Sequence, residues 1–314
     1  MSSTLRGSLL ATAALAMVGS LVAASDIVER YPLAAGQALR YTLAGLALLA
    51  IARGRLPRLT PREGVGLLAL SATGLVLFNV FVIEGVRETD PATVGVIIGC
   101  VPVVLAFAGP LLGGRSVSGR VVLAAVVVAV GAAGVQWAGG GISTTGLLLA
   151  LGALACEACF SLLAMPHLER LGPVAVSTYA CLFAVPLLAG WSLIADGPSL
   201  ALPDAEQAAA LAYLGLGVTA LGFVSWYSAI SLLGVERAGL FSGVLPISAL
   251  VVSSLLGVAE ITPERLAAVA VVAAGVTLGV LRAPAPNLSV CSSTPSIGSA
   301  TRASASVPAR RSST

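Results

Sequence analysis

The sequence predicts an all-α integral membrane protein of ten transmembrane helices arranged as two inverted five-helix repeats, and three observations predict it. Of the 314 residues, 57% are hydrophobic and 10% charged, with a mean hydropathy of +1.00. That leaves more apolar surface than polar side chains can cover in water. The chain also divides into ten apolar runs of about 20 residues, the length that crosses a hydrocarbon core. Finally, Gly95, Gly99, Pro102, Leu111-Leu112-Gly113, Ala124, Val127-Val128 and Gly131 coincide, 144 positions later and without a gap, with Gly239, Gly243, Pro246, Leu255-Leu256-Gly257, Ala268, Val271-Val272 and Gly275. A block that recurs in this way marks an internal duplication.

In chain order the runs are 7–25, 33–52, 64–84, 93–112, 119–138, 146–166, 173–195, 206–232, 238–258 and 264–282. Their starts carry helix signals. Thr60-Pro-Arg-Glu63 is a capping box with Pro at the first helical position, Asp204-Ala-Glu-Gln207 is its acidic counterpart, and Asp90-Pro91 and Thr262-Pro263 each place a cap before a Pro. Unbroken apolar runs exclude a closed β-barrel. The first run, with Arg6 before it and Ala23-Ala24-Ser25 behind it, also has the form of a cleavable signal peptide. Glu29-Arg30 recurs as Glu169-Arg170, so removing the first run would unpair the sixth, and retention is expected.

The expected division is a first repeat over 1–140, a second over 141–282, and a cytoplasmic tail over 283–314. The tail is rich in Ser, Thr, Pro and Ala and lacks periodicity, so it reads as disordered. Every basic residue is Arg. With the N-terminus cytoplasmic, 13 arginines fall in inner joints and tails, three (Arg30, Arg87, Arg265) in outer joints, and Arg40 lies inside a helix. The positive-inside rule then puts both termini in the cytoplasm of a cell whose inner (plasma) membrane holds the protein. Five helices per half is an odd number, so the second half enters from the opposite side.

Two five-helix halves with a mid-helix Pro in the fourth and ninth, and the closing stretch SSLLGVAEITPERLAAVAVVAAGVTLGV, resemble the EamA-type family of the drug/metabolite transporter superfamily. The similarity covers 7–282 and is strongest over 223–280, at Tyr227-Ser-Ala-Ile, Pro246, Leu256-x-x-x-Glu260-x-Thr262 and Gly275. In the first half Ser116 stands where the second has Glu260, a departure from the family pattern that argues against a shared role for that pair. The resemblance implies a secondary transporter, commonly an exporter of small metabolites, amino acids or drug-like compounds, driven by an ion gradient or by facilitated diffusion.

The residues themselves point to a cavity. Gly95, Gly99 and Pro102 line one helix face, as do Gly239, Gly243 and Pro246; small residues at that spacing admit a neighbouring backbone. The prolines free the carbonyls of Ile98 and Ser242, which must then look into protein or a wet cavity. They are the candidate hinges, with simple packing as the alternative. Glu157 lies about 16 Å into its run, near the bilayer centre, where a charge costs about 3 kcal/mol. Burial disfavours its charged form, so it is the candidate coupling residue, with a structural ion pair or a neutral hydrogen-bonded acid as the alternative. Arg40 is its candidate partner or a snorkelling cation, and Glu84 a rim residue. Asn79, Tyr179, Trp226 and Tyr227 are candidate cavity residues, alongside Gln136, Ser161, Ser177, Ser225 and Ser248; interhelical hydrogen bonding is the alternative for each.

Enzyme chemistry finds no support. His167 has no ligand partner at i+4, and Cys156-Glu-Ala-Cys159 lies within an apolar helix without a second pair. There is no Walker A loop, HExxH or Gly-x-Ser-x-Gly. No cofactor, metal or nucleic acid is expected. The expected partners are a small-molecule substrate and the lipid bilayer, and a homodimer is compatible with the sequence. A membrane enzyme or scaffold acting on lipid-borne substrates is the other reading, and it needs a catalytic cluster the sequence does not offer.

The arginine asymmetry is directly testable. A reporter active only in the cytoplasm should work when fused after Thr314 and stay silent in the 139–145 joint; silence at Thr314 would overturn the orientation.

Overall fold

The computed structural model describes residues 2–24, 27, 30–89, 91–136, 143–195, 202–257 and 259–280. The tail 283–314, Glu29 and the Asp90 cap lie outside them. Ten helices carry the fold: α1 Ser3–Ala24, α2 Leu33–Ile51, α3 Pro61–Glu88, α4 Thr93–Leu112, α5 Gly119–Val135, α6 Thr144–Leu162, α7 Met165–Ile194, α8 Ala205–Leu233, α9 Val235–Leu255 and α10 Pro263–Val280. Among the described residues nine are long and apolar enough to cross a bilayer, and α5 is shorter. Large apolar side chains such as Leu148, Ile194 and Leu255 point outward, as lipid requires.

Local chemistry starts these helices where the sequence expects. Thr60 accepts from the Glu63 N–H while Glu63 accepts from the Thr60 N–H at 2.8 Å, and Asp204 and Gln207 exchange the same two bonds at 2.8 and 3.0 Å. Each pair satisfies orphan donors that would otherwise face the membrane boundary. Thr262 caps α10 through the Arg265 N–H. Gly172, at φ +76°, breaks α7 just before Pro173, so the apolar crossing begins at Pro173.

Both repeats also carry the same two departures from α geometry. In α4 the Gly99 N–H still reaches the Gly95 carbonyl, but Cys100 bonds back only to Ile97, and Val103 only to Cys100; in α9 Gly239–Gly243 is a 3-10 turn. Pro102 and Pro246 follow directly, each in the first turn of the resumed helix, where a missing N–H costs little. The prolines therefore restart a helix rather than kink an unbroken one. In α3 and α8 the segments Ser71–Leu77 and Tyr213–Leu221 wind as π-helix, and the 144-residue offset lays the first onto 215–221.

The halves interlock. α1 packs on α8, α3 on α6, α2 on α7, α4 on α9 and α5 on α10. The last pair shows the inversion. A Cβ on Gly131 would come within 2.8 Å of the Val272 nitrogen and 3.0 Å of the Ala268 carbonyl; one on Gly275 would come within 2.9 Å of the Val128 nitrogen and 3.1 Å of the Ala124 carbonyl. Gly275, Ala268 and Val272 are Gly131, Ala124 and Val128 moved on by 144. The equivalent helices therefore cross antiparallel, which is what a two-fold axis in the membrane plane produces.

Around that crossing Gly243 meets Val272 and Val128, and Gly239 meets Leu105. A Cβ on Gly99, beside the helix break, would have the Ala132 side chain of α5 in ordinary contact distance at 3.8 Å.

Backbone cannot step aside as a side chain can. Gly131→Val and Gly275→Val should each destabilise the protein by about 2 kcal/mol or more, read as a lower melting temperature in detergent. Gly190→Ala, with nothing within 4 Å, should leave it unchanged.

Candidate functional site

The interior between the halves holds a polar cluster contributed by α2, α3, α6 and α8. Arg40 sits on the buried face of α2 and is only 9% exposed. Its Nε donates to Thr219 Oγ1 at 2.6 Å, and its guanidinium lies 5.5 Å from the Tyr41 ring centroid, a cation–π distance. Thr219 belongs to the π segment of α8, and Gly215 in the same segment lets α8 come close to the Arg40 carbonyl. The irregular winding thus brings a hydroxyl to the buried cation.

Tyr41 links this corner to the rest. Its hydroxyl has the Asn79 amide within hydrogen-bonding reach, and Arg40, Cys181 and Glu157 all act on it electrostatically. Asn79 follows the π segment of α3 and donates to the Leu75 carbonyl at 2.5 Å. The two π segments therefore serve equivalent ends, one setting the partner of Arg40 and the other the support of Asn79.

Glu157 projects from α6 into the same interior. It lies within electrostatic range of both Tyr41 and Tyr227, residues that are 3% and 0% exposed. It makes no hydrogen bond or ion pair within the described residues, yet its oxygens are not sealed off and the side chain is only half-buried. Arg40 does not pair with it. Both α2 and α6 start from the face opposite the N-terminus; Arg40 is 7 residues along one and Glu157 13 along the other, a depth difference of roughly 9 Å at 1.5 Å per residue.

An aromatic wall backs the cluster. Phe160 lies 4.8 Å from Phe223 and 5.2 Å from Tyr227, centroid to centroid, and Tyr41 lies 6.3 Å from Phe223. Trp226 Nε1 donates to Ser161 Oγ at 3.1 Å, and the Tyr227 hydroxyl donates to the Phe160 carbonyl at 3.3 Å. Both polar tips are therefore engaged in holding α8 against α6, leaving ring faces as their contribution to the interior. Ser248 likewise ties α9 to the Ala16 carbonyl of α1, and Ser177 bonds back to Pro173.

Tyr179 lies elsewhere. Its hydroxyl donates to the Pro57 carbonyl at 2.8 Å, in the joint before α3, at the membrane boundary. Glu84 is paired with Arg87 at 2.7 Å on an exposed rim. Cys156 is buried on α6 and Cys159 partly so; His167 packs against Gly66. The Gln136 side chain lies outside the described residues.

Sequence reasoning missed Tyr41 and Thr219. Tyr41 adjoins Arg40, so the buried cation could have flagged it. Thr219 carries no local signal, because its role arises from the π winding that turns it toward α2.

With this geometry in hand, the comparisons with known proteins are specific. The model of the EamA-like transporter family matches residues 5–137 and again 144–281. YetK, an uncharacterized transporter of Bacillus subtilis (strain 168), is 26% identical over 287 residues, spanning 88% of this chain and 87% of its own. A protein of Streptantibioticus cattleyicolor named "Probable terminal-alkyne amino-acid exporter" is 31% identical over 234 residues, spanning 72% of this chain and 76% of its own. A solved crystal structure superimposes with a TM-score of 0.75 over 88% of this chain and 97% of that chain at 20% identity, a likeness of fold. Two matched halves, ten helices and an interior polar cluster place this chain in the EamA-like transporter family, a family of membrane transporters and not of enzymes.

Proposed function

We propose that the protein is a proton-coupled secondary exporter of small amino-acid-like metabolites in the plasma membrane, with both termini cytoplasmic and the substrate site between the two halves. The observation that supports this reading is Glu157, a half-buried carboxyl of α6 with no hydrogen bond or ion pair among the described residues, within electrostatic range of Tyr41 and Tyr227. Such a group takes a proton from one side and releases it to the other as the halves rock around it. Substrate entering the same space competes for it. Arg40, held on Thr219 and over Tyr41, supplies the complementary cation further along the depth of the membrane. A zwitterion could span from one to the other with its carboxylate toward Arg40, its amine toward Glu157 and its side chain against Phe160 and Phe223. The exporter named for an amino acid among the relatives supports that substrate class, and the broader small-metabolite and drug-like classes remain within the same cavity chemistry.

In proteoliposomes the parent should concentrate substrate under a pH gradient. Glu157→Gln should abolish that accumulation while leaving exchange of substrate down its own gradient nearly intact; parental accumulation by the variant would remove Glu157 from coupling.

The repeated helix breaks are the natural hinges of the rocking motion, since both lie where α4 and α9 change winding. Pro102→Ala and Pro246→Ala should insert and fold normally and slow transport, by about tenfold for each ~1.4 kcal/mol added to the barrier. Wild-type rates in both would make the prolines packing features.

A further inference from the structure

We propose that the joint between α2 and α3 is a binding surface for the headgroups of anionic phospholipids. Four of the 17 arginines, Arg53, Arg55, Arg58 and Arg62, fall within this one short stretch. Such a density of cations immediately beyond the end of a membrane helix draws anionic headgroups. All four side chains are exposed, and none makes a hydrogen bond or ion pair among the described residues.

Neighbouring acids do not neutralise them. Counting helices, the acids on this face are Glu63, Glu169 and Glu236. Arg170 forks onto both Glu63 oxygens and Arg115 onto both Glu236 oxygens, and Glu169 pairs with none of the four. The segment 283–314, which follows α10 on the same face, contains no Asp or Glu.

The backbone of the joint is held so that the cations stay outside. Leu56 and Leu59 pack against the main hydrophobic core. The Pro57 carbonyl accepts from the Tyr179 hydroxyl at 2.8 Å, and the Arg58 carbonyl from Arg170 Nη2 at 3.0 Å. Thr60 and Glu63 then close the capping box of α3. Leucines turn in while arginines turn out.

Local stability does not account for all four. Arg53 and Arg55 follow the C-terminus of α2, where a cation suits the helix dipole, although Arg53 does so at φ +53°, a conformation unfavourable for a side chain of its kind. Arg58 lies outside both helices, and Arg62 is in the first turn of α3, the end at which the dipole disfavours a cation. Lipid supplies the missing counter-charge. Beside the joint, Ile51 at the end of α2 and Val65 and Leu68 at the start of α3 are exposed apolar side chains. The surface next to the arginines therefore faces acyl chains, and the arginines stand at headgroup depth. A zwitterionic headgroup carries its own cation, so a net negative one matches this surface better.

The surface is tested without transport, by electron spin resonance of spin-labelled lipids at the boundary of the reconstituted full-length chain. Phosphatidylglycerol should be enriched roughly two- to fivefold over phosphatidylcholine, and the enrichment should shrink as salt rises. Combining Arg53→Asn, Arg55→Gln, Arg58→Gln and Arg62→Gln should abolish it. Asn tolerates the left-handed backbone at position 53, and nine of the 13 arginines on this face remain to orient the chain. Arg58→Gln with Arg62→Gln, which leaves the end of α2 intact, should remove about half of the enrichment. Equal recruitment of the two lipids by the parent, or parental enrichment in the fourfold variant, overturns the surface. So does an equal loss in Arg6→Gln with Arg282→Gln, because the preference would then belong to the whole face and not to this joint.

Discussion

The antiparallel crossing of α5 and α10 is the constraint on which the rest of the molecule depends. With no water to expel between helices in lipid, association relies on close van der Waals packing, and here it is closest where Gly131 and Gly275 each receive the backbone of the other helix. Because the contact is made by the same residues of both copies, it fixes the two-fold axis relating the halves. It also sets the spacing at which α4 meets α9 through Leu105 and Gly239, with Gly243 seated on Val128 and Val272.

A membrane interior punishes every unsatisfied polar group, and the irregular windings show how this chain uses that rule. The π segments of α3 and α8 and the tightened turns of α4 and α9 leave backbone geometry that a regular helix would not, and all four recur at the same offset. Two of them serve the polar cluster, turning Thr219 to Arg40 and steadying Asn79 beside Tyr41. The aromatic wall behind the cluster then holds α6 and α8 together through Trp226 and Tyr227 while presenting ring faces inward. Cohesion and cavity are built from the same side chains.

Symmetry of sequence does not impose symmetry of state. Arg170 and Arg30 are repeat equivalents, yet Arg170 forks onto Glu63 while Arg30 lies 3.8 Å from Glu206. Alternating access in general needs two nearly equivalent arrangements of the same parts, and a duplicated chain supplies such parts.

Hydropathy, arginine placement and the 144-residue offset determined the ten helices, their start residues and the two-half plan, because those properties depend on spacing along one chain and on the free energy of placing each segment in lipid. Tertiary structure alone decided the partners. Arg40 faced either Glu157 or the membrane surface as far as spacing could tell, and packing of α2 against α8 gave it Thr219 instead, beside the ring of the adjoining Tyr41. Tyr179 shared the polar character of the cavity residues, but the bend at Gly172 carried it to the boundary and onto Pro57. Spacing along a helix states which residues share a face; which neighbour that face meets depends on how α helices from two halves cross, and only the folded pair fixes that.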